Sequence, residues 1–186
     1  MFTMLSRFDG RLVSLLLIFG SAGMLAGALF FQEFMNLPPC VLCKYQRIPY
    51  IATIILSALA FASPHKLQIS FLALSAAALV VNAGIAGFHV GVENAWWEGT
   101  SECGKTFPTD SIEALRAAIL AAPVVRCTDV AWSMFGISMA GYNMMIALGM
   151  GIFTFLSVLN LSGHKEEAEQ DDKKPAENDN KKPKDA

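Results

Sequence analysis

The sequence predicts an all-α membrane protein, in which four transmembrane helices form a bundle and a long second outward loop joins the third helix to the fourth. Two features of the composition support this class. Hydrophobic residues make up 54% of the 186 residues and charged residues only 16%, whereas an average soluble domain has about 25% charged residues. Four long stretches also contain no Asp, Glu, Lys or Arg. Such segments suit the hydrocarbon core of a bilayer.

The predicted helices cover residues 12–31, 44–62, 67–91 and 136–161. Because a helix rises ~1.5 Å per residue, about 20 apolar residues are needed to cross the hydrocarbon core. The first, third and fourth apolar runs meet this requirement. The second run, residues 48–62, would cover only about 22 Å, so its helix has to begin near Cys43 in order to span. Pro49 is expected to bend its first turns.

The N-terminal apolar run has an alternative interpretation as a secretory signal peptide, since Ala26-Gly27-Ala28 resembles a cleavage site. The run continues through Phe31, however, and is longer than the apolar core of a usual signal peptide. An uncleaved membrane helix is therefore the favoured prediction.

Four spans place both termini on one side of the membrane. That side carries Arg7, Arg11, Lys66 and the six lysines of the tail, and the opposite side carries Lys44, Arg47, Lys105, Arg116 and Arg126. Because cytoplasmic segments carry the excess of basic residues, both termini are predicted to be cytoplasmic. The two cysteine-containing loops then face outward.

Two segments outside the helices have predictions of their own. Within the long loop, about residues 93–134, residues 109–122 are predicted to form a short helix that either packs on its own domain or lies in the membrane interface. Residues 164–186 hold six Lys and eight Asp or Glu, so they are predicted to form a disordered cytoplasmic tail.

A net charge of −2 with no basic patch argues against a nucleic-acid partner.

All four cysteines fall in the two outward loops: Cys40, Cys43, Cys103 and Cys127. Thiols that face an oxidising compartment form disulfides, and two pairs suggest themselves, Cys40 with Cys43 and Cys103 with Cys127. The alternative is a zinc cage of four cysteines. It is disfavoured because 23 residues separate the second pair and because an oxidising compartment competes for the thiols, so no metal is expected.

The Cys40-Val41-Leu42-Cys43 motif has the spacing of a redox-active pair. Its bridge would close too short a ring to stabilise the fold much, whereas a cysteine at a helix start is often reactive as the thiolate. Arg47 follows Cys43 by one helical turn, so both side chains share a face. An isolated arginine here would extend toward lipid headgroups. Beside a redox cysteine, its guanidinium can bind a carbonyl oxygen of an electron acceptor.

Several polar and aromatic residues of the helices are open to simpler interpretations. His89, near the outer end of the third helix, is on sequence alone a packing or capping histidine as readily as a site residue. Asn82 and Asn143 are expected to join helices by hydrogen bonds. Trp96, Trp97 and Trp132 are most simply an aromatic belt at the membrane surface.

A set of short segments occurs in a specific order: Pro39-Cys40-Val41-Leu42-Cys43 with Tyr45-Gln46-Arg47, then Phe88-His89-Val90, the cysteine pair of the second loop, and Trp132 with Phe135 through Asn143. Over about residues 10–162 this order resembles the DsbB family of disulfide bond formation proteins of bacterial inner membranes. No single motif is decisive, but two cysteine pairs, the arginine and four spans in this order are specific. The charged tail is not part of that pattern.

The resemblance implies an oxidoreductase that takes electrons from a soluble periplasmic thiol oxidase similar to DsbA and passes them to membrane quinone, either ubiquinone or menaquinone. By position, Cys40 and Cys43 would be the pair next to the quinone, with Cys43 in contact with its ring. Cys103 and Cys127 would react with the partner. Arg47 would bind the quinone, and His89 would lie near it.

Two other protein classes combine four helices with paired cysteines. A protein similar to the vitamin K epoxide reductases also uses a C-x-x-C and a quinone, but there the motif lies near the fourth helix, whereas here it precedes the second. A tetraspanin-like scaffold with two structural disulfides would need neither Arg47 nor an exchangeable C-x-x-C.

Overall fold

Four helices in the described part of the chain are long and apolar enough to cross a membrane. The structure is a computed structural model that describes residues 9–100, 103 and 125–173, with side chains as far as residue 163. The candidate spans are Gly10–Glu33, Val41–Ala62, His65–Glu93 and Met139–Gly163. The predicted all-α, four-span membrane fold is confirmed.

The elements follow in the order α1 (Gly10–Glu33), α2 (Val41–Tyr45), α3 (Arg47–Ala62), α4 (His65–Glu93), β1 (Ser133–Met134), β2 (Ile137–Ser138) and α5 (Met139–Lys173). Helix α1 packs mainly on α3, α3 also packs on α4, and α4 packs on α5. The buried centre of the bundle consists of Val13, Leu17, Tyr50, Ala60, Leu72, Leu79, Ala83 and Ala147.

The inside of the bundle is rich in hydroxyl groups, and its outside is apolar. Ser14, Thr53 and Thr154 are fully buried, and each donates its hydroxyl hydrogen to the carbonyl four residues earlier on its own helix. Large side chains such as Phe19 and Phe155 are exposed on the outside. This distribution is the one expected when lipid surrounds the helices and polar groups have to find partners within the protein.

The second span begins at Val41, three residues before the predicted start, because Cys40 acts as the N-cap of α2. Its sulfur accepts a hydrogen bond from the backbone N–H of Cys43 at 3.2 Å. Helix α2 ends at Tyr45, and α3 starts after Gln46. Pro49 accounts for this break, since it lacks an N–H and its ring crowds the carbonyl of Tyr45 four residues earlier.

The fourth span begins at Met139, three residues after the approximate predicted start at residue 136. Phe135 and Gly136 have φ values of +52° and +77° and form the two-residue turn between the antiparallel strands β1 and β2. Ser138 then caps α5, since its Oγ accepts a hydrogen bond from the N–H of Gly141 at 3.1 Å. The apolar residues of the hairpin run directly into those of the helix, which hid the boundary.

Helix α5 continues to Lys173, past the start of the segment predicted to be disordered. Residues 164–173 consist largely of Glu, Lys, Gln and Ala, which favour helix and can extend one that the membrane span has already nucleated. The helix predicted over residues 109–122 and the last part of the tail, residues 174–186, lie outside the described residues.

Candidate functional site

The C-x-x-C motif lies at the start of the second span with both thiols free. The sulfurs of Cys40 and Cys43 are 2.7 Å apart and in hydrogen-bond contact with each other. This hydrogen bond, together with His89, outweighs burial and lowers the pKa of Cys40 to about 5. Cys40 is therefore the thiolate of the pair, and Cys43 is the thiol.

His89 joins the Cys40 sulfur to a chain of buried polar side chains. Its Nε2 lies 3.6 Å from the Cys40 sulfur, and its Nδ1 lies 3.1 Å from Nε2 of Gln46. The Gln46 Oε1 accepts a hydrogen bond from Asn143 at 2.7 Å, and the Asn143 Oδ1 accepts one from the Tyr50 hydroxyl at 2.6 Å. The chain joins α3, α4 and α5, so the packing of three helices fixes the position of the imidazole.

The loop cysteines form the predicted disulfide between Cys103 and Cys127. Cys127 is only 1% exposed and lies in one buried cluster with Cys40, Leu42 and Val92, against which Cys103 also packs. The fold thus brings two cysteine pairs from distant parts of the sequence next to each other.

A cavity of about 300 Å³ opens beside the C-x-x-C between α1, α3, α4 and α5. Its walls are mostly apolar and include Met24, Phe31 and Trp132, while its polar groups include Cys40, Cys43, Arg47 and His89. This volume is at the small end of the range for ligand pockets. The structure therefore gathers four of the predicted site residues around one space.

Arg47 points into this cavity and does not simply extend toward the membrane surface. One terminal nitrogen, Nη2, donates to the side-chain oxygen of Gln32 on α1 at 3.0 Å. Its Nε is buried and has no hydrogen-bond partner among the described residues. As a cavity-lining cation, Arg47 is suited to binding an acceptor atom of a ligand.

Glu93 is a cavity residue that the sequence analysis did not identify. It is the last residue of α4, and its Oε1 lies 3.9 Å from Nε2 of His89, with both side chains buried. Its Oε2 accepts a hydrogen bond from Ser138, the residue that caps α5. The i,i+4 spacing of His89 and Glu93 was the available signal. Gln32 and Gln46 had no comparable signal, because their partners are far away in the sequence.

The other sequence interpretations have mixed outcomes. Asn143 does join helices, as predicted, but the side chain of Asn82 is fully buried and makes no hydrogen bond within the described residues. Trp132 was interpreted as part of an aromatic belt, yet it lines the cavity and packs on Phe31 with ring centres 5.2 Å apart. Its packing role arises because the loop folds back over α1.

Comparisons with known proteins agree with this arrangement. The family model described as "Disulfide bond formation protein DsbB" matches residues 10–157. A disulfide bond formation protein B from Methylococcus capsulatus is 33% identical over 149 residues, covering 75% of this chain and 88% of that protein. Proteins of the same name from Methylobacillus flagellatus and Haemophilus influenzae are each 29% identical, covering 86% and 85% of this chain and 96% and 92% of their own lengths.

No solved structure matches the chain. The family match nevertheless extends over all four candidate spans and both cysteine pairs. This coverage, together with the paired cysteines around one cavity, shows that the chain belongs to the DsbB family of disulfide bond formation proteins.

Proposed function

We propose that the chain reoxidises a soluble DsbA-like thiol oxidase and passes the electrons through its two cysteine pairs to a membrane quinone. Membership of the family supports a membrane disulfide oxidoreductase. One observation carries the detailed proposal: Cys40 and Cys127 lie in the same buried cluster, while Cys40 also lines a cavity that holds an arginine. The two pairs and an acceptor site form a continuous path.

The loop pair receives the electrons first in this proposal. Cys103 is partly exposed, whereas Cys127 is buried, so the Cys103 sulfur is the accessible one. A thiolate of the partner attacks Cys103, the Cys103–Cys127 bond breaks, and Cys127 leaves as the thiolate. The second thiol of the partner later attacks the mixed disulfide, which releases an oxidised partner and the Cys103 thiolate.

The electrons then pass to the C-x-x-C pair. The Cys127 thiolate attacks the Cys40 sulfur of the Cys40–Cys43 disulfide and releases Cys43. Once the partner has freed Cys103, that thiolate attacks Cys127 and restores the loop disulfide, so Cys40 and Cys43 are left reduced. The Cys103–Cys127 bond of that state is the one present in the structure.

With Cys40 as the thiolate and Cys43 as the thiol, reoxidation of the C-x-x-C removes two electrons and one proton and forms one S–S bond. The second proton that a quinol needs comes from solvent. The Cys40 thiolate lies 2.7 Å from the Cys43 sulfur and is placed to form that bond, while the electrons leave through Cys43 into the cavity. A bound quinone supplies the acceptor of two electrons and two protons. The mostly apolar walls keep bulk water away from the thiolate.

The residues present fit a quinone. Arg47 lines the cavity and would donate a guanidinium N–H to a carbonyl oxygen, and its hydrogen bond to Gln32 fixes the guanidinium plane. The positive charge would also stabilise negative charge that develops on the acceptor oxygen. Among the predicted site residues, Arg47 would therefore hold the ring, and His89 would act on the Cys40 sulfur.

The proposed location is the bacterial inner membrane, with both termini cytoplasmic and the cysteine loops periplasmic. The distribution of Lys and Arg between the two sides supports this orientation. An oxidising periplasm also suits a loop disulfide that has to be regenerated after each turnover. The vitamin K epoxide reductase-like and scaffold alternatives are not favoured, since the family match covers the whole membrane domain.

The test is electron transfer in proteoliposomes supplied with a reduced DsbA-like oxidase and a short-chain quinone. Loss of partner thiols should stop in Cys40→Ser, Cys43→Ser and Cys127→Ser, because each variant breaks one exchange step. Ser57→Ala is the matched control, since Ser57 is a buried residue of α3 whose hydroxyl pairs with Ser75 outside the cavity. Normal turnover in Cys127→Ser would show that the partner reacts with the C-x-x-C directly.

A further inference from the structure

The imidazole of His89 is held at both ring nitrogens by different groups. Nε2 faces the Cys40 sulfur at 3.6 Å, and Nδ1 faces the amide nitrogen of Gln46 at 3.1 Å. The side chain is only 3% exposed. Water therefore has little access to either nitrogen, and its protein neighbours decide which nitrogen carries the hydrogen.

The donors and acceptors in this chain of hydrogen-bonded side chains show which ring nitrogen of His89 carries the hydrogen. The Tyr50 hydroxyl has one hydrogen and donates it to Oδ1 of Asn143. This turns the Asn143 amide nitrogen toward Gln46, whose Oε1 accepts from it. The Gln46 oxygen is thereby occupied, and its NH₂ group points at Nδ1 of His89. A ring nitrogen that accepts from an N–H carries no hydrogen of its own.

We propose that Gln46, itself oriented by Asn143 and Tyr50, is a positioning residue that fixes His89 as the neutral tautomer with its only hydrogen on Nε2, pointing at the Cys40 sulfur. His89 then stabilises the Cys40 thiolate as a hydrogen-bond donor. It does not remove the thiol proton, because its one basic nitrogen is covered by the Gln46 amide. This role rests on the proposed function, in which the Cys40 thiolate closes the disulfide.

The other ionisable groups around the sulfur and the ring do not provide this direction. Cys43 contacts the Cys40 sulfur, and Glu93 lies 3.9 Å from Nε2 while its other oxygen accepts a hydrogen bond from Ser138. Arg47, Arg126 and Asp129 also line the cavity. The backbone of Cys127 also lies within hydrogen-bond reach of the ring, and Gln46 is the side chain that contacts Nδ1.

Nitrogen-15 NMR of the reduced protein, without partner or quinone, measures the tautomer directly. Protonated and unprotonated ring nitrogens have well-separated resonances, and His65→Gln with His164→Gln leaves His89 as the only histidine. The expected spectrum at neutral pH has a protonated Nε2 and an unprotonated Nδ1. A protonated Nδ1, with or without a protonated Nε2, would overturn the proposal without any further variant.

Asn143→Asp tests the chain at a residue that has no hydrogen bond to His89. An aspartate accepts only, so it should turn the Gln46 amide around and present Oε1 to Nδ1, which then has to carry the hydrogen. The Nδ1 resonance should move to the protonated range. Gln46→Leu removes the orienting amide and should give a mixture of tautomers, with the titration midpoint of the Cys40 thiolate raised by at most about one unit.

Gln68→Leu is the matched control for Gln46→Leu. Gln68 is a similarly buried glutamine, but its amide donates to the Ala60 carbonyl and lies outside the cavity. The Gln68→Leu variant should leave the His89 resonances unchanged. If Gln68→Leu shifts them as much as Gln46→Leu does, the tautomer reports general packing and the proposal is wrong. Because the spectra need no turnover, this outcome is independent of whether the protein reduces quinone.

Discussion

Arg47 allows a quantitative test of electron-acceptor binding, because the loss of quinone affinity on its removal can be estimated. Its Nε–H is buried in the cavity wall without a partner in the described part of the chain, and hydrogen bonds to charged groups contribute about 1.5–3 kcal/mol. A quinone carbonyl that accepts from Arg47 should lose this contribution in Arg47→Ala. At about 1.4 kcal/mol per tenfold change, the affinity for quinone should fall roughly 10- to 150-fold.

The assay is a titration of the purified protein with a short-chain quinone, accompanied by the KM for quinone at saturating reduced partner. Arg47→Lys should recover only part of the affinity, because an ammonium keeps the charge but not the planar fork of donors. Lys44→Ala is the matched control, since Lys44 is an exposed cation three residues earlier that lies outside the cavity. Its affinity should equal that of the wild type.

Two results would refute this reasoning. Wild-type quinone affinity in Arg47→Ala would mean that the guanidinium serves the membrane surface, as an isolated interfacial arginine does. An equal loss in Lys44→Ala and Arg47→Ala would mean that positive charge near the membrane matters and the cavity geometry does not.

Three further predictions concern the cysteines. With the oxidised partner, Cys127→Ser should accumulate a covalent complex on a non-reducing gel, because the Cys103 thiolate opens the partner's disulfide and Cys127 is absent to resolve the product, whereas Cys103→Ser should not. A partner trapped on Cys40 would contradict the proposed order. The hydrogen bond with Cys43 and the neighbouring His89 lower the pKa of Cys40 to about 5. Alkylation of Cys40 should therefore persist through neutral pH and fall only as the pH drops through about 5. An inflection of the alkylation rate near the ordinary pKa of 9.0 would refute this. A thiol reagent that cannot cross membranes should label the partly exposed Cys103 of the reduced protein in spheroplasts, and protection of Cys103 would contradict the topology.

The sequence predicted the membrane fold well because one physical requirement dominates it. A span needs about 20 apolar residues, and the chain contains four such runs, so the helices were found to within a few residues. The helix boundaries that were misplaced lie in segments that the need for about 20 apolar residues does not constrain. The hairpin before α5 is as apolar as the helix itself, and the backbone turn at Phe135 and Gly136 leaves little trace in composition.

The candidate site could be predicted in part. Cys40, Cys43 and Arg47 lie within eight residues, so helical spacing alone brings them together. The pairing of Cys103 with Cys127 followed from having one pair in each loop. By contrast, the hydrogen bond from Asn143 to Gln46 spans 97 residues and depends on the rotation of α5 against α3. No local pattern encodes that rotation, which is why Gln46 was missed. Glu93 did have a local signal, its i,i+4 spacing from His89.

The central claim is that electrons from the partner's dithiol leave through the C-x-x-C to quinone. Its most direct test is an anaerobic titration of the purified protein with reduced DsbA-like oxidase and excess quinone, in which partner thiols and quinol are measured in the same sample. The account predicts one quinol for every two partner thiols lost, and no quinol in Cys43→Ser. Partner oxidation without quinol formation, or quinol formation that survives Cys43→Ser, would contradict it.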